Sequence, residues 1–147
     1  MWNTNFPLWQ DGSWTEKVRL WPIGKGAQTV VNLTKNGWET RVPLLTGIAH
    51  GKAGKLTVSK TGISVSRTGV LITAFGENPD GNGTVLRFWE HAGISGKCEV
   101  ILPEGMKFNS AQPVDLRGRT IGKPIFTKGR KFSFDLGAYA PASFILQ

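Results

Sequence analysis

GVLITAFGENPDGNGTVLRFWEHAG, residues 69–93, holds two runs rich in β-branched and aromatic residues around Asn78-Pro79-Asp80-Gly81-Asn82-Gly83. Asp-Gly and Asn-Gly supply the positive φ angles that tight hairpin connections need, and Pro79 fixes φ ahead of them. The stretch therefore predicts a hairpin with strands at Val70–Phe75 and Thr84–Glu90, and Gly81 or Gly83 at positive φ. Side chains alternate along a strand, so Val70, Ile72 and Ala74 are expected on one face with Val85 and either Leu86 or Phe88 opposite.

Outward from this hairpin the chain keeps the same rhythm. Short extended runs are expected at Lys17–Trp21, Thr29–Leu33, Thr40–Leu45, Lys55–Ser59 and Ile63–Ser66. They continue at Lys97–Leu102, Met106–Asn109, Gln112–Leu116, Pro124–Thr127, Lys131–Asp135 and Ala142–Leu146. Lys60-Thr61-Gly62 reads as a turn joining two of them, and Pro43 suits a strand edge. No 12-residue window holds a 3.6-residue apolar period. Runs spaced by roughly 8 to 12 residues with turn signals between them predict an all-β fold, an antiparallel β-sandwich, as one domain over 1–147. Phe132, Phe134 and Leu136 should point one way, with Phe144 and Leu146 on the inner face of the closing strand. Trp38 and Trp89, in strand-like contexts, are expected in the core.

Composition narrows the functional classes. The chain has 147 residues with 19 glycines and 8 prolines, which suits many turns and few helices. No run approaches the roughly 20 apolar residues of a membrane span, and the first residues lack the order of a secretory signal. The chain is expected to be soluble and not membrane-bound, with no compartment assigned. The single cysteine, Cys98, fits a small buried hydrophobe. The formal net charge is +8, yet Lys and Arg are scattered; only Arg117, Arg119, Lys123, Lys128, Arg130 and Lys131 bunch, in Gly-rich turn sequence. With no nucleic-acid-binding motif beside them they read as solvated loop charges, and nucleic acid is not the expected partner.

Catalytic chemistry has no signature. His50 and His91 lack partners at metal-ligand spacing and are expected at the surface. Glu77, Asp80 and Glu90 surround the hairpin, but spacing alone does not make a hydrolase pair of any two, and Asp80 has a turn role. No catalytic residue and no cofactor is assigned to this chain. Trp2, Phe6, Trp9, Trp14 and Trp21 crowd the first 21 residues beside Asn3, Asn5, Gln10 and Asp11. Indoles stack on sugar faces and amides bond ring hydroxyls, but the same rings also suit an N-terminal segment anchored on the sandwich.

The phrases WNTNFPLWQDGSWTEKVRLWPI, WETRVPLL, GISVSRTGVLITAFGENPDGNGTVLRFWEHAGISGKCEVILP and AQPVDLRG, IGKPI and FSFDLGAYAPASFIL together resemble the C-terminal β-domain of bacterial alpha-mannosidase-like proteins of glycoside hydrolase family 38. That resemblance implies a β-sandwich attached to an N-terminal catalytic region, its expected partner, which holds the nucleophile and the zinc of the parent enzyme. Met1 directly before a mid-protein phrase adds the expectation that the chain is the C-terminal part of a larger glycoside hydrolase. By resemblance, Trp2, Asn3, Thr4 and Asn5 form the edge of the substrate cleft, with Asn3 and Asn5 facing it and Trp2 and Phe6 packing. The other reading is an autonomous carbohydrate-binding module, with Trp9 and Trp14 as sugar-stacking residues.

Overall fold

The computed structural model describes residues 11–24, 29–42, 44–48, 50–52, 54 and 57–147. Its elements in chain order are α1 (Thr29–Arg41), β1 (Ser64–Val65), β2 (Val70–Glu77), β3 (Thr84–Glu90), β4 (Gly96–Ile101), β5 (Ser110–Val114), β6 (Ile125–Phe126), β7 (Lys131–Leu136) and β8 (Pro141–Leu146). The strands form two antiparallel sheets, one ordered β1-β4-β7 and the other β2-β3-β8-β5-β6. The described residues form an all-β sandwich with one helix at its side.

The core is what side-chain alternation delivers from both sheets. Leu86 and Phe88 of β3, Phe144 and Leu146 of β8 and Ala111 of β5 face Cys98 and Val100 of β4 and Phe132 and Leu136 of β7. Phe134 meets Phe144 with ring centroids 4.7 Å apart and Phe88 at 5.5 Å, tying the sheets together. Phe132, Phe134 and Leu136 do share a face, and Cys98 is fully buried. Burial raises the Cys98 thiol pKa, against the opposing pull of the Arg67 charge and of hydrogen bonds from Ser66.

The hairpin forms as its turn residues require. Asn78 N–H donates to the Gly83 carbonyl at 3.0 Å, and the Asn78 side-chain oxygen accepts from Asp80 N–H at 3.2 Å. Gly83 holds φ +100°, whereas Gly81 is not at positive φ; a Cβ on Gly83 would lie 2.7 Å from both Ile145 Cγ2 and the Leu146 carbonyl oxygen. The face assignment needs correction. Ile72 lies opposite Phe88, but a bulge at Thr73 puts Ala74 opposite Arg87. The extra residue switches sides, so Val70, Ile72 and Phe75 share the Leu86–Phe88 face, while Ala74 and Val85 lie on the outer face.

The N-terminal third departs most from expectation. Thr29–Leu33 is not a strand but the start of α1, which runs through Thr40–Arg41. Val31, Thr34 and Trp38 recur at helical spacing with a threonine in the middle, which hides the period from an apolar count. Lys35 and Glu39 pair at i,i+4 with 3.7 Å between Nζ and Oε1, and Thr40 Oγ1 donates to the Asn36 carbonyl at 2.8 Å. Lys17–Trp21 and Leu44–Leu45 carry no strand, and Pro43 lies outside the described residues. Thr57–Ser59 is also irregular, with Lys55 and Leu56 outside the described residues. The Lys60–Gly62 turn thus closes no hairpin: β1 instead pairs with β4, Ser64 opposite Ile101. Residues 106–109 are irregular and the next strand begins at Ser110. Lys17–Trp21 alternates polar with apolar residues, but no described strand pairs with it.

Candidate functional site

Trp2, Asn3, Thr4, Asn5 and Trp9, the residues singled out for sugar contact, lie outside the described residues, as does Phe6. Trp14 is 64% exposed in irregular chain. Around it the described N-terminal third keeps its apolar side chains in solvent: Leu20, Leu44 and Leu45 are each 90% exposed or more, and Val18, Val42, Ile48 and Val58 are exposed too. Single exposed aliphatics are ordinary, but a whole segment of them is not. Helix α1 leans on the sandwich, where Val31 Cγ2 would stand 3.2 Å from a Cβ at Gly69, and Lys60 pairs with Glu104 at 3.7 Å.

Trp38 and Trp89 are not core residues. They are 37% and 46% exposed and line one cavity on the outer face of the five-stranded sheet. Trp89 points outward because it alternates with the inward Phe88 and Glu90, and Trp38 reaches the same face from α1. The Trp89 indole N–H donates to the Tyr139 carbonyl at 3.3 Å, which fixes the ring, and His91 lies against it with centroids 4.9 Å apart and planes tilted by 46°. Arg87, two residues before Trp89, donates from Nη2 to the Leu116 carbonyl at 3.1 Å.

Glu90 is fully buried, which its residue type makes exceptional. Its Oε1 accepts Ala92 N–H at 2.9 Å and lies 3.5 Å from Arg67 Nη2; its Oε2 accepts Gly93 N–H and Tyr139 N–H, each at 2.9 Å. Arg67 in turn donates to the carbonyls of Gly96 at 2.9 Å, Leu136 at 3.3 Å and Ile94. Burial alone would push this carboxyl up, but backbone N–H donors from Tyr139, Ile94, Gly93 and Ala92 outweigh it and hold it below the usual glutamate value. The carboxylate thus pins the β3–β4 and β7–β8 connections together, and holds Tyr139 at φ +55°. Sequence showed Glu90 only as an acidic residue closing a strand; nothing local signals burial.

Among the described residues Glu90 has no carboxylate partner. Val70 lies opposite Glu90 and Glu77 opposite Thr84, so Glu77 is at the far end of the hairpin. Seven strand residues span roughly 20 Å, well beyond the roughly 5–9.5 Å of glycosidase pairs. Among the described residues no three His, Cys, Asp or Glu side chains could together hold a metal ion. The zinc expected of the parent enzyme has no fitting ligand set in these residues. The bunched basic residues are held in separate places: Asp115 Oδ1 accepts Arg117 N–H and Arg119 N–H, while Arg130 bonds the Leu102 carbonyl and Lys131, at the start of β7, pairs with Glu99. No helix among the described residues is long and apolar enough to cross a membrane. Compared with family models, curated proteins and solved structures, the chain gives no match.

Proposed function

We propose that this chain is a non-catalytic accessory β-sandwich of an alpha-mannosidase-like glycoside hydrolase, packing on the catalytic region and helping to shape its sugar cleft. The observation that carries this reading is the described N-terminal segment, in which Val18, Leu20, Leu33, Val42, Leu44, Leu45, Ile48 and Val58 find no cover from the sandwich. Such a surface is favourable only when another apolar surface removes it from water, at about 25 cal/mol per Å². The sequence resemblance supplies the kind of partner, and it puts Trp2, Asn3, Thr4 and Asn5 at the cleft edge. On this reading, the zinc and the carboxylate nucleophile of a retaining hydrolysis belong to the catalytic region.

Co-expression tests it. The chain should co-purify with the catalytic region of an alpha-mannosidase-like enzyme, and a Leu44→Asp/Leu45→Asp variant should lose that association while keeping its melting temperature. Independent elution of both pieces would overturn the reading. Sugar binding by the chain itself is a second reading, favoured by the half-exposed, hydrogen-bonded indole of Trp89.

A further inference from the structure

Seven asparagines occur in the chain, and five of them, Asn32, Asn36, Asn78, Asn82 and Asn109, lie among the described residues. An asparagine is chemically unstable where the backbone nitrogen of the next residue can reach its side-chain carbonyl carbon. That nitrogen attacks only if it has a proton to lose and no acceptor holding it. In four of the five cases the fold disposes of it. Leu33 and Gly37, which follow Asn32 and Asn36, lie inside α1, where each N–H is donated one turn back along the helix. Pro79 follows Asn78 and has no N–H. The Asn78 amide is also engaged at both ends: its Oδ1 accepts Asp80 N–H at 3.2 Å and its Nδ2 donates to the Asn82 main-chain carbonyl at 3.3 Å. Ser110 follows Asn109 and donates its N–H to the Gln147 carbonyl at 3.1 Å.

Asn82 differs from these four. It is exposed in the loop between β2 and β3, and its side-chain amide has no hydrogen-bond partner among the described residues. The Gly83 N–H has none among them either, although the Gly83 carbonyl accepts Asn78 N–H at 3.0 Å. Gly83 also has no side chain to crowd an attack by its nitrogen. The glycine that the turn needs at φ +100° therefore leaves a free nitrogen next to a free carboxamide.

We infer that Asn82-Gly83 is a site of spontaneous modification, at which the folded chain converts asparagine to isoaspartate and aspartate. The Gly83 nitrogen loses its proton to solvent and attacks Asn82 Cγ. The new C–N bond closes a succinimide ring, and the side-chain nitrogen leaves as ammonia with a proton taken from water. One water then adds to either ring carbonyl and breaks the C–N bond there. Opening at Cγ gives aspartate; opening at the main-chain carbonyl gives isoaspartate, whose backbone runs through Cβ and Cγ. One water enters and one ammonia leaves, with no oxidant or cofactor. Either acid puts a new negative charge on the loop that already holds Asp80, beside Glu77. Isoaspartate also lengthens the main chain by a methylene next to a register fixed at Glu77–Thr84. Gly83 is hemmed in by Ile145 and the Leu146 carbonyl, so it has little room to absorb the extra length.

The test ages the full chain for some weeks at neutral pH and physiological temperature. Mass spectrometry then follows each asparagine peptide, with fragmentation that separates isoaspartate from aspartate. Asn82 should convert at least about tenfold faster than Asn36, the other asparagine followed by glycine, a difference of about 1.4 kcal/mol in barrier. The reason is that α1 must open before the Gly37 nitrogen is free. In the chain held unfolded in denaturant the two sites should convert at similar rates, because the remaining difference is then one of sequence alone. The isoaspartate form, separated by ion exchange, should melt below the unmodified chain. Asn82→Gln should abolish the conversion and keep the melting temperature, since closure would need a larger ring. Equal rates at Asn36 and Asn82 in the folded chain, faster conversion at Asn78 or Asn109, or an Asn82 that converts only after unfolding would overturn the inference. None of these outcomes bears on the accessory-domain reading.

Discussion

Residues 61–147 and the N-terminal third use similar residue types and reach opposite outcomes. In the sandwich, Leu86, Val100, Leu102 and Leu146 are fully or almost fully buried. In the N-terminal third, Leu20, Leu44 and Leu45 stand in solvent. Hydrophobicity is the same in both; what differs is whether another strand arrives to pair. The sandwich closes on itself because β3 and β8, far apart in sequence, pair over six residue positions from Thr84–Leu146 to Trp89–Pro141. The described part of the N-terminal third has one helix and no strand ladder, and its aliphatic side chains stay in solvent.

Replacing the ring at the centre of the core is the hardest test of that contrast. Phe88→Ala should destabilise the chain by about 3–5 kcal/mol, read as a fall in the denaturation midpoint with unchanged slope; a loss below about 1 kcal/mol would show that the two sheets do not share this ring. Next in size is the buried carboxylate. Glu90→Gln should cost about 3 kcal/mol, because Arg67 then keeps its charge without a counter-charge. The Glu90 carboxyl has a lowered pKa in the fold, so its contribution is present above the unfolded value and fades as pH falls through the folded one. Wild-type stability should therefore decline below about pH 4 more steeply than that of the variant, and equal acid slopes would refute the ionised clamp.

Smaller effects sharpen the comparison. Gly83→Ala should cost about 1–3 kcal/mol, since positive φ and a 2.7 Å Cβ approach oppose any side chain there. Deleting residues 1–60 removes α1 but no core strand, and should lower stability by about 1 kcal/mol or less; cooperative unfolding lost on deletion would mean that the N-terminal third is part of the core after all. Smallest of all, Leu45→Ser should lie within about 0.5 kcal/mol of wild type in the isolated chain.

Turn chemistry made the C-terminal strands legible. Asn78 to Gly83 announced one hairpin, and the alternation of Phe132, Phe134 and Leu136 announced a buried face. Both signals are local, carried by φ preferences and a period of two. Missing from local signals were the bulge at Thr73, the helix of Val31, Thr34 and Trp38, and the burial of Glu90. A bulge is a one-residue slip against a partner strand, a short amphipathic helix with a threonine on its inner face has no clear period, and a carboxylate is buried only if distant N–H groups converge on it.

By itself the sequence determined the all-β class, the hairpin at residues 70–90 and the inward set of the closing strands, because these follow from residue-level φ preferences and side-chain alternation. Only the tertiary structure decided which strands became neighbours, that Trp89 faces outward with Arg87 beside Trp38, and that Glu90 clamps two connections. Those outcomes depend on pairings such as Arg87 with Ser143, 56 residues apart, and the energy of a pairing resides in both partners at once.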